Sequence, residues 1–230
     1  MIRQKMTNKH LLIIEDRIGE ANVAQETAKS LGIEIRLATD VGSALEEIKL
    51  RPAAIASDLF FPAGNINQEP YIAQVLQIYE NYLKTFRPKT DGPLTRVLQF
   101  IFPDQGNLNK EQFFEDVIKK YFLKDNPEHI VELTRDAYFG IENYSKYNRL
   151  QKQIKEVKEG RSMPYGIFAT EEARKLNIPI HIVTSTNHHD IAFEPIRSRI
   201  GKYTDNLVDG YKDWLAAFNQ LSEYLKGGTK

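Results

Sequence analysis

Three short apolar runs in this chain each end in residues whose oxygens can do chemistry. Leu11-Leu12-Ile13-Ile14 runs into Glu15-Asp16, Ala53 to Ser57 runs into Asp58, and Ile180-His181-Ile182-Val183 runs into Thr184-Ser185. Two adjacent acids at one strand end repel each other unless a cation is shared. Asp58 is followed by two aromatics, Pro62, Ala63 and Gly64, so the apolar run stops abruptly at a carboxylate. In open α/β sheets ligands bind beyond the carboxyl ends of the strands, which makes an acid there a site candidate. The plain alternative is that Asp58 only begins the turn toward Pro62.

The elements that must position these residues follow from hydrophobic period. Continuous apolar runs of four or five residues fit parallel strands covered on both faces. Ala21 to Leu31 reads as a helix stopped by Gly32, and Ile33 to Thr39 alternates as a half-buried, edge-like strand. Asp40 caps a second helix with Val41, Ala44, Leu45 and Ile48 on one face. This strand-helix alternation predicts a doubly wound, flavodoxin-like parallel five-stranded α/β sheet.

From Asn65 to Arg161 the pattern is helical. Glu69 to Phe86 and Lys110 to Leu123 carry apolar stripes, and Asn126-Pro127-Glu128 opens a helix that can run to Glu159. The expected organisation is therefore a discontinuous α/β core, 1–64 and 162–230, with a helical insertion at 65–161. Its many aromatics supply either the insertion's own core or a surface for a protein or ligand. Beyond it, Thr170 to Leu176 reads as a helix, Ala192 to Ile200 as a short helix and Asn206 to Asp209 as a weak final strand. Lys212 is expected to open a C-terminal helix bearing Trp214, Leu215, Phe218, Leu221 and Leu225.

Composition bounds the function. The 230 residues carry 31 Lys plus Arg against 31 Asp plus Glu, so no overall field draws nucleic acid or an anionic membrane. The absence of cysteine removes disulfide and thiolate chemistry and fits a reducing, cytoplasmic setting. No run reaches the roughly 18 apolar residues of a membrane span, and Met1 to His10 has no signal-peptide core.

The set of Glu15 and Asp16, Asp58-Leu59-Phe60-Phe61-Pro62, Ile180 to Ser185 and Lys212 resembles the receiver domain of two-component response regulators. The resemblance covers about 1–64 and 162–230. It implies that Asp58 accepts a phosphoryl group from a sensor histidine kinase or a small phosphodonor. It further implies Mg2+ held by Glu15, Asp16, Asp58 and the backbone carbonyl of Phe60, with Thr184 and Lys212 on the phosphoryl oxygens. Oxygen-only ligands suit magnesium, and phosphoryl transfer needs an in-line nucleophile with positive groups around it. The chain departs from the family where Asp213 rather than proline follows the lysine and Asp209 rather than an aromatic stands three before it.

Two other functions compete. A pseudo-receiver would bind partners without phosphorylation. A magnesium phosphohydrolase with a helical cap would need a second acid two positions after the nucleophile, where Phe60 stands. Signal output is expected through protein contact by 65–161, with phosphotransfer to Asp58 favoured over turnover catalysis. His188 and His189, beside Asp190, read either as a ligand pair or as plain surface loop.

Overall fold

The computed structural model describes residues 10–85, 146–161, 163–186 and 190–225. The expected helices over Lys110 to Leu123 and from Asn126 onward, apart from the stretch 146–158, lie outside these residues, as do His188 and His189. Two compact units divide the chain, one formed by Met1–Tyr79 with Ile154–Lys230 and the other by Glu80–Gln153. Helix α3, Glu69–Thr85, starts in the first and ends in the second; α4, 146–158, begins in the second and ends in the first.

In the first unit, β1 (Leu11–Ile14), β2 (Ile35–Ala38), β3 (Ala54–Ser57), β4 (Ile180–Val183) and β5 (Tyr203–Thr204) form one sheet in the order β2-β1-β3-β4-β5. All pairings are parallel. This is the flavodoxin-like α/β arrangement that the alternation predicts. β1 and β3 are central and wholly buried, which is why both are continuous apolar runs, whereas β2 sits at an edge with its middle residues exposed.

Helices cover both faces. α1 (Ile18–Ser30) packs beside α7 (Trp214–Leu225) on one side, where Leu11, Ile13, Ala54, Ala56 and Val183 meet Ala24, Ala28, Trp214, Phe218 and Leu221. The alternate residues Leu12, Ile14, Ile55 and Ile182 are also buried and point to the other side. There α2 (Val41–Lys49) packs against α5 (Gly166–Lys175), which in turn meets α6 (Arg197–Ile200). Asp40 caps α2 as expected, its side chain accepting the Ser43 N–H at 2.9 Å in a reciprocal capping box. The first turns of α3 lie on α5, with the Tyr71 and Phe168 rings 4.7 Å apart, edge to face.

Gly166 lets α5 approach β3. A Cβ at this position would stand 2.7 Å from the Asp58 carbonyl oxygen and 3.0 Å from the Leu59 Cα, so only glycine fits.

The end of the chain differs from the sequence expectation in two ways. The fifth strand is Tyr203–Thr204, paired to β4, and not Asn206 to Asp209. Leu207–Val208 instead forms β6 of a separate antiparallel ribbon with β7 (Tyr211–Lys212). The physical reason is the turn: Asp209 and Gly210 both have positive φ, 52° and 83°, as a two-residue hairpin loop requires. Lys212 therefore ends a strand instead of opening a helix. Asp213 follows it as the cap of α7, its carboxylate accepting the Ala216 N–H at 2.9 Å. No helix among the described residues is long and apolar enough to cross a membrane.

Candidate functional site

Register sets the site. Ile14 lies opposite Ser57 and Ser57 opposite Ile182, so one further step brings Glu15 level with Asp58 at the carboxyl end of the sheet. Thr184 follows β4, one residue beyond that row. The Asp58 N–H donates to the Ile14 carbonyl at 2.8 Å, which holds the two central strand ends together.

Glu15, Asp16 and Asp58 converge, with one carboxylate oxygen from each lying within 4.8 Å of the others. Glu15 and Asp58 are buried and Asp16 is exposed. Lys212 reaches them from β7. Its Nζ makes an ion pair with Glu15 Oε2 and another, at 2.8 Å, with Asp58 Oδ2, and its side chain is entirely out of water. The remaining buried oxygens also have donors: Glu15 Oε1 accepts the Arg17 N–H at 3.0 Å and Asp58 Oδ1 the Leu59 N–H at 2.6 Å. Asp16 makes no hydrogen bond or ion pair among the described residues.

Burial, which penalises the charged form, raises the pKa of both buried acids above the ordinary carboxylate range. For Glu15 the neighbouring Asp58 charge pushes the same way, while Lys212 opposes the rise at both acids. Removing one partner from such a buried group costs far more than an exposed pair is worth.

A second ring of groups fixes the lysine. Glu20, buried on the first turn of α1, accepts the Lys212 N–H at 3.1 Å and the Trp214 Nε1–H at 3.0 Å. The Lys212 ammonium also lies 5.7 Å from the centre of the Trp214 ring. One carboxylate thus holds the Lys212 backbone N–H and the Trp214 indole, on either side of Asp213. Arg17, half exposed, closes the outer side, with Nε 3.6 Å from Glu15, Nη2 3.5 Å from Glu20 and Nη2 3.4 Å from Ser185 Oγ.

The structure thus brings together Glu15, Asp16, Asp58 and Lys212 of the residues expected from sequence. Thr184 is buried on the adjacent strand end, where its Oγ1 accepts the Thr186 N–H at 3.1 Å; it makes no hydrogen bond to the acids among the described residues. Phe60, half-buried in the loop after β3, makes none either. Arg17, Glu20 and Trp214 are additions. Trp214, expected only as an apolar position of the C-terminal helix, is the chain's single tryptophan and stands two positions after Lys212, the one sequence signal by which it could have been found.

The donor set fits a hard divalent cation: three carboxylates and no nitrogen or sulfur ligand. Compared with known proteins, the chain matches no family model, no curated protein and no solved structure.

Proposed function

We propose that this chain is a receiver-like signalling protein that accepts a phosphoryl group on Asp58 with the assistance of Mg2+. The observation that carries the reading is the convergence of Glu15, Asp16, Asp58 and Lys212 at one end of the sheet. In the reaction an Asp58 carboxylate oxygen attacks the phosphorus of an acyl phosphate or a phosphohistidine. The new P–O bond forms as the bond to the donor breaks, and its electron pair leaves on the donor's carboxylate or on its imidazole, which takes up a proton.

Whichever Asp58 oxygen attacks must first give up its present partner, the Leu59 N–H or the Lys212 ammonium. If it is the Lys212 ammonium that is released, it turns to the phosphoryl oxygens while still paired with Glu15, and Glu20 keeps it in reach by holding its backbone. Magnesium held by Glu15, Asp16 and Asp58 would neutralise charge on those oxygens. The donor is a sensor histidine kinase or a small phosphodonor, and output runs through protein contact by 65–161.

Incubation with acetyl phosphate and Mg2+ followed by intact-mass measurement tests this. One phosphoryl adduct, lost in Asp58→Asn, supports it; an unmodified wild-type chain refutes it. One observation favours the non-phosphorylated pseudo-receiver instead: Lys212 already pairs with both Glu15 and Asp58. That reading predicts no magnesium binding in a calorimetric titration.

A further inference from the structure

Arg17 follows β1 and its guanidinium reaches Ser185, which follows β4. β3 lies between those strands in the sheet, so the Arg17 side chain crosses above the end of β3, where Asp58 sits. The two cations of the site differ in their access to water. Lys212 is sealed on the inner side with none of its side chain in water, and Arg17 stands on the outer side, half exposed. Its charge is felt at Asp58, where it is among the influences opposing the effect of burial.

An anion attached to an Asp58 oxygen has to project toward that outer side, because the inner side is filled by Lys212, Glu15 and the strand ends. It would meet a guanidinium whose contacts are long: 3.4 Å to Ser185 and 3.5 to 3.6 Å to two acids. A planar fork of N–H donors suits the oxygens of a tetrahedral anion better than it suits a lone hydroxyl. We propose that Arg17 is a direct ligand of the phosphoryl group on Asp58, exchanging Ser185 for two phosphoryl oxygens when the group is in place.

This inference rests on the phosphoacceptor reading and adds no chemical step to it. It identifies which side chain outside the acid-lysine set recognises the anion. Arg17→Ala is a sound probe because the bond to Glu15 Oε1 comes from the backbone N–H, which the substitution keeps.

Beryllium fluoride, a non-reacting mimic of the phosphoryl group, is titrated into protein holding saturating Mg2+, with Trp214 fluorescence as the readout. Arg17→Ala is expected to bind it about 10- to 100-fold more weakly than wild type, the range for one charge-assisted hydrogen bond. Arg17→Lys should recover part of the loss, and affinity for magnesium alone should not fall. Binding by Arg17→Ala as tight as wild type, or tighter, overturns the role of Arg17 and leaves the phosphoacceptor reading standing. An equal fall in magnesium affinity also overturns it, since Arg17 would then act only by holding Glu15. No saturable binding by wild type overturns both.

Discussion

Lys212→Met keeps most of the side chain's length and apolar bulk but removes the ammonium that pairs with two buried carboxylates. Leaving a buried charge without its partner costs about 3 to 5 kcal/mol, a large share of the roughly 5 to 15 kcal/mol by which a domain is stable. With a urea slope of about 1 to 3 kcal/mol per molar, the unfolding midpoint should drop by about 2 M. The sign of the pH dependence is fixed by Glu15 and Asp58, whose folded pKa values burial already raises and which rise further once the lysine's opposing charge is gone. The folded variant then holds protons that the unfolded chain releases above about pH 4, so its stability falls as pH rises. Urea titrations at a series of pH values, followed by Trp214 fluorescence, should show the largest deficit near pH 8 and partial recovery toward pH 5. A deficit under about 1 kcal/mol at pH 8, or one equal at both ends, would refute the reasoning.

Three further outcomes are expected. Glu20→Ala strands the Lys212 N–H and the Trp214 indole N–H, so it should cost about 2 kcal/mol and shift the tryptophan emission; unchanged emission would contradict the clamp. Gly166→Ala drives a Cβ into the Asp58 carbonyl and should cost about 1 to 3 kcal/mol by thermal or urea unfolding, and neutrality would show that α5 can shift without penalty. His181 is buried with Nε2 2.8 Å from Thr204 Oγ1, Nδ1 lacking a partner among the described residues, and burial pushes its pKa down from 6.5 to about 4. Its contribution is fully present above pH 6.5 and is lost as pH falls toward 4, worth at most about 3 kcal/mol. His181→Phe should flatten the stability profile over that window, and an unchanged slope would rule the group out.

What could be read from the sequence was what local pattern encodes. β1, β3 and, apart from His181, β4 announce themselves because a strand buried on both faces is apolar, and the acids and hydroxyls at their ends stand out against that background. Asp40 as a helix cap is equally local. The fifth strand was misplaced because Tyr203–Thr204 is only two residues long, while Leu207–Val208 looks more strand-like and is in fact half exposed on a hairpin. Asp209-Gly210 carried the correcting signal, a two-residue turn between β-formers. The same turn explains the absence of an aromatic three residues before Lys212, and the capping role of Asp213 accounts for the residue after it. Arg17 and Glu20 could not be picked out, since a charged residue at a helix's start is ordinary in sequence; what distinguishes these two is where Lys212, Trp214 and Ser185 arrive from 168 to 194 positions away.

Reductive trapping addresses the central claim most directly. Borohydride converts an aspartyl phosphate to homoserine, so treating the chain after exposure to acetyl phosphate and Mg2+ and sequencing its peptides locates the acceptor. The account predicts homoserine at position 58 alone; homoserine at Asp16 or another aspartate, the one-carbon-longer hydroxynorvaline at Glu15, or no conversion in a fully covered chain would contradict it.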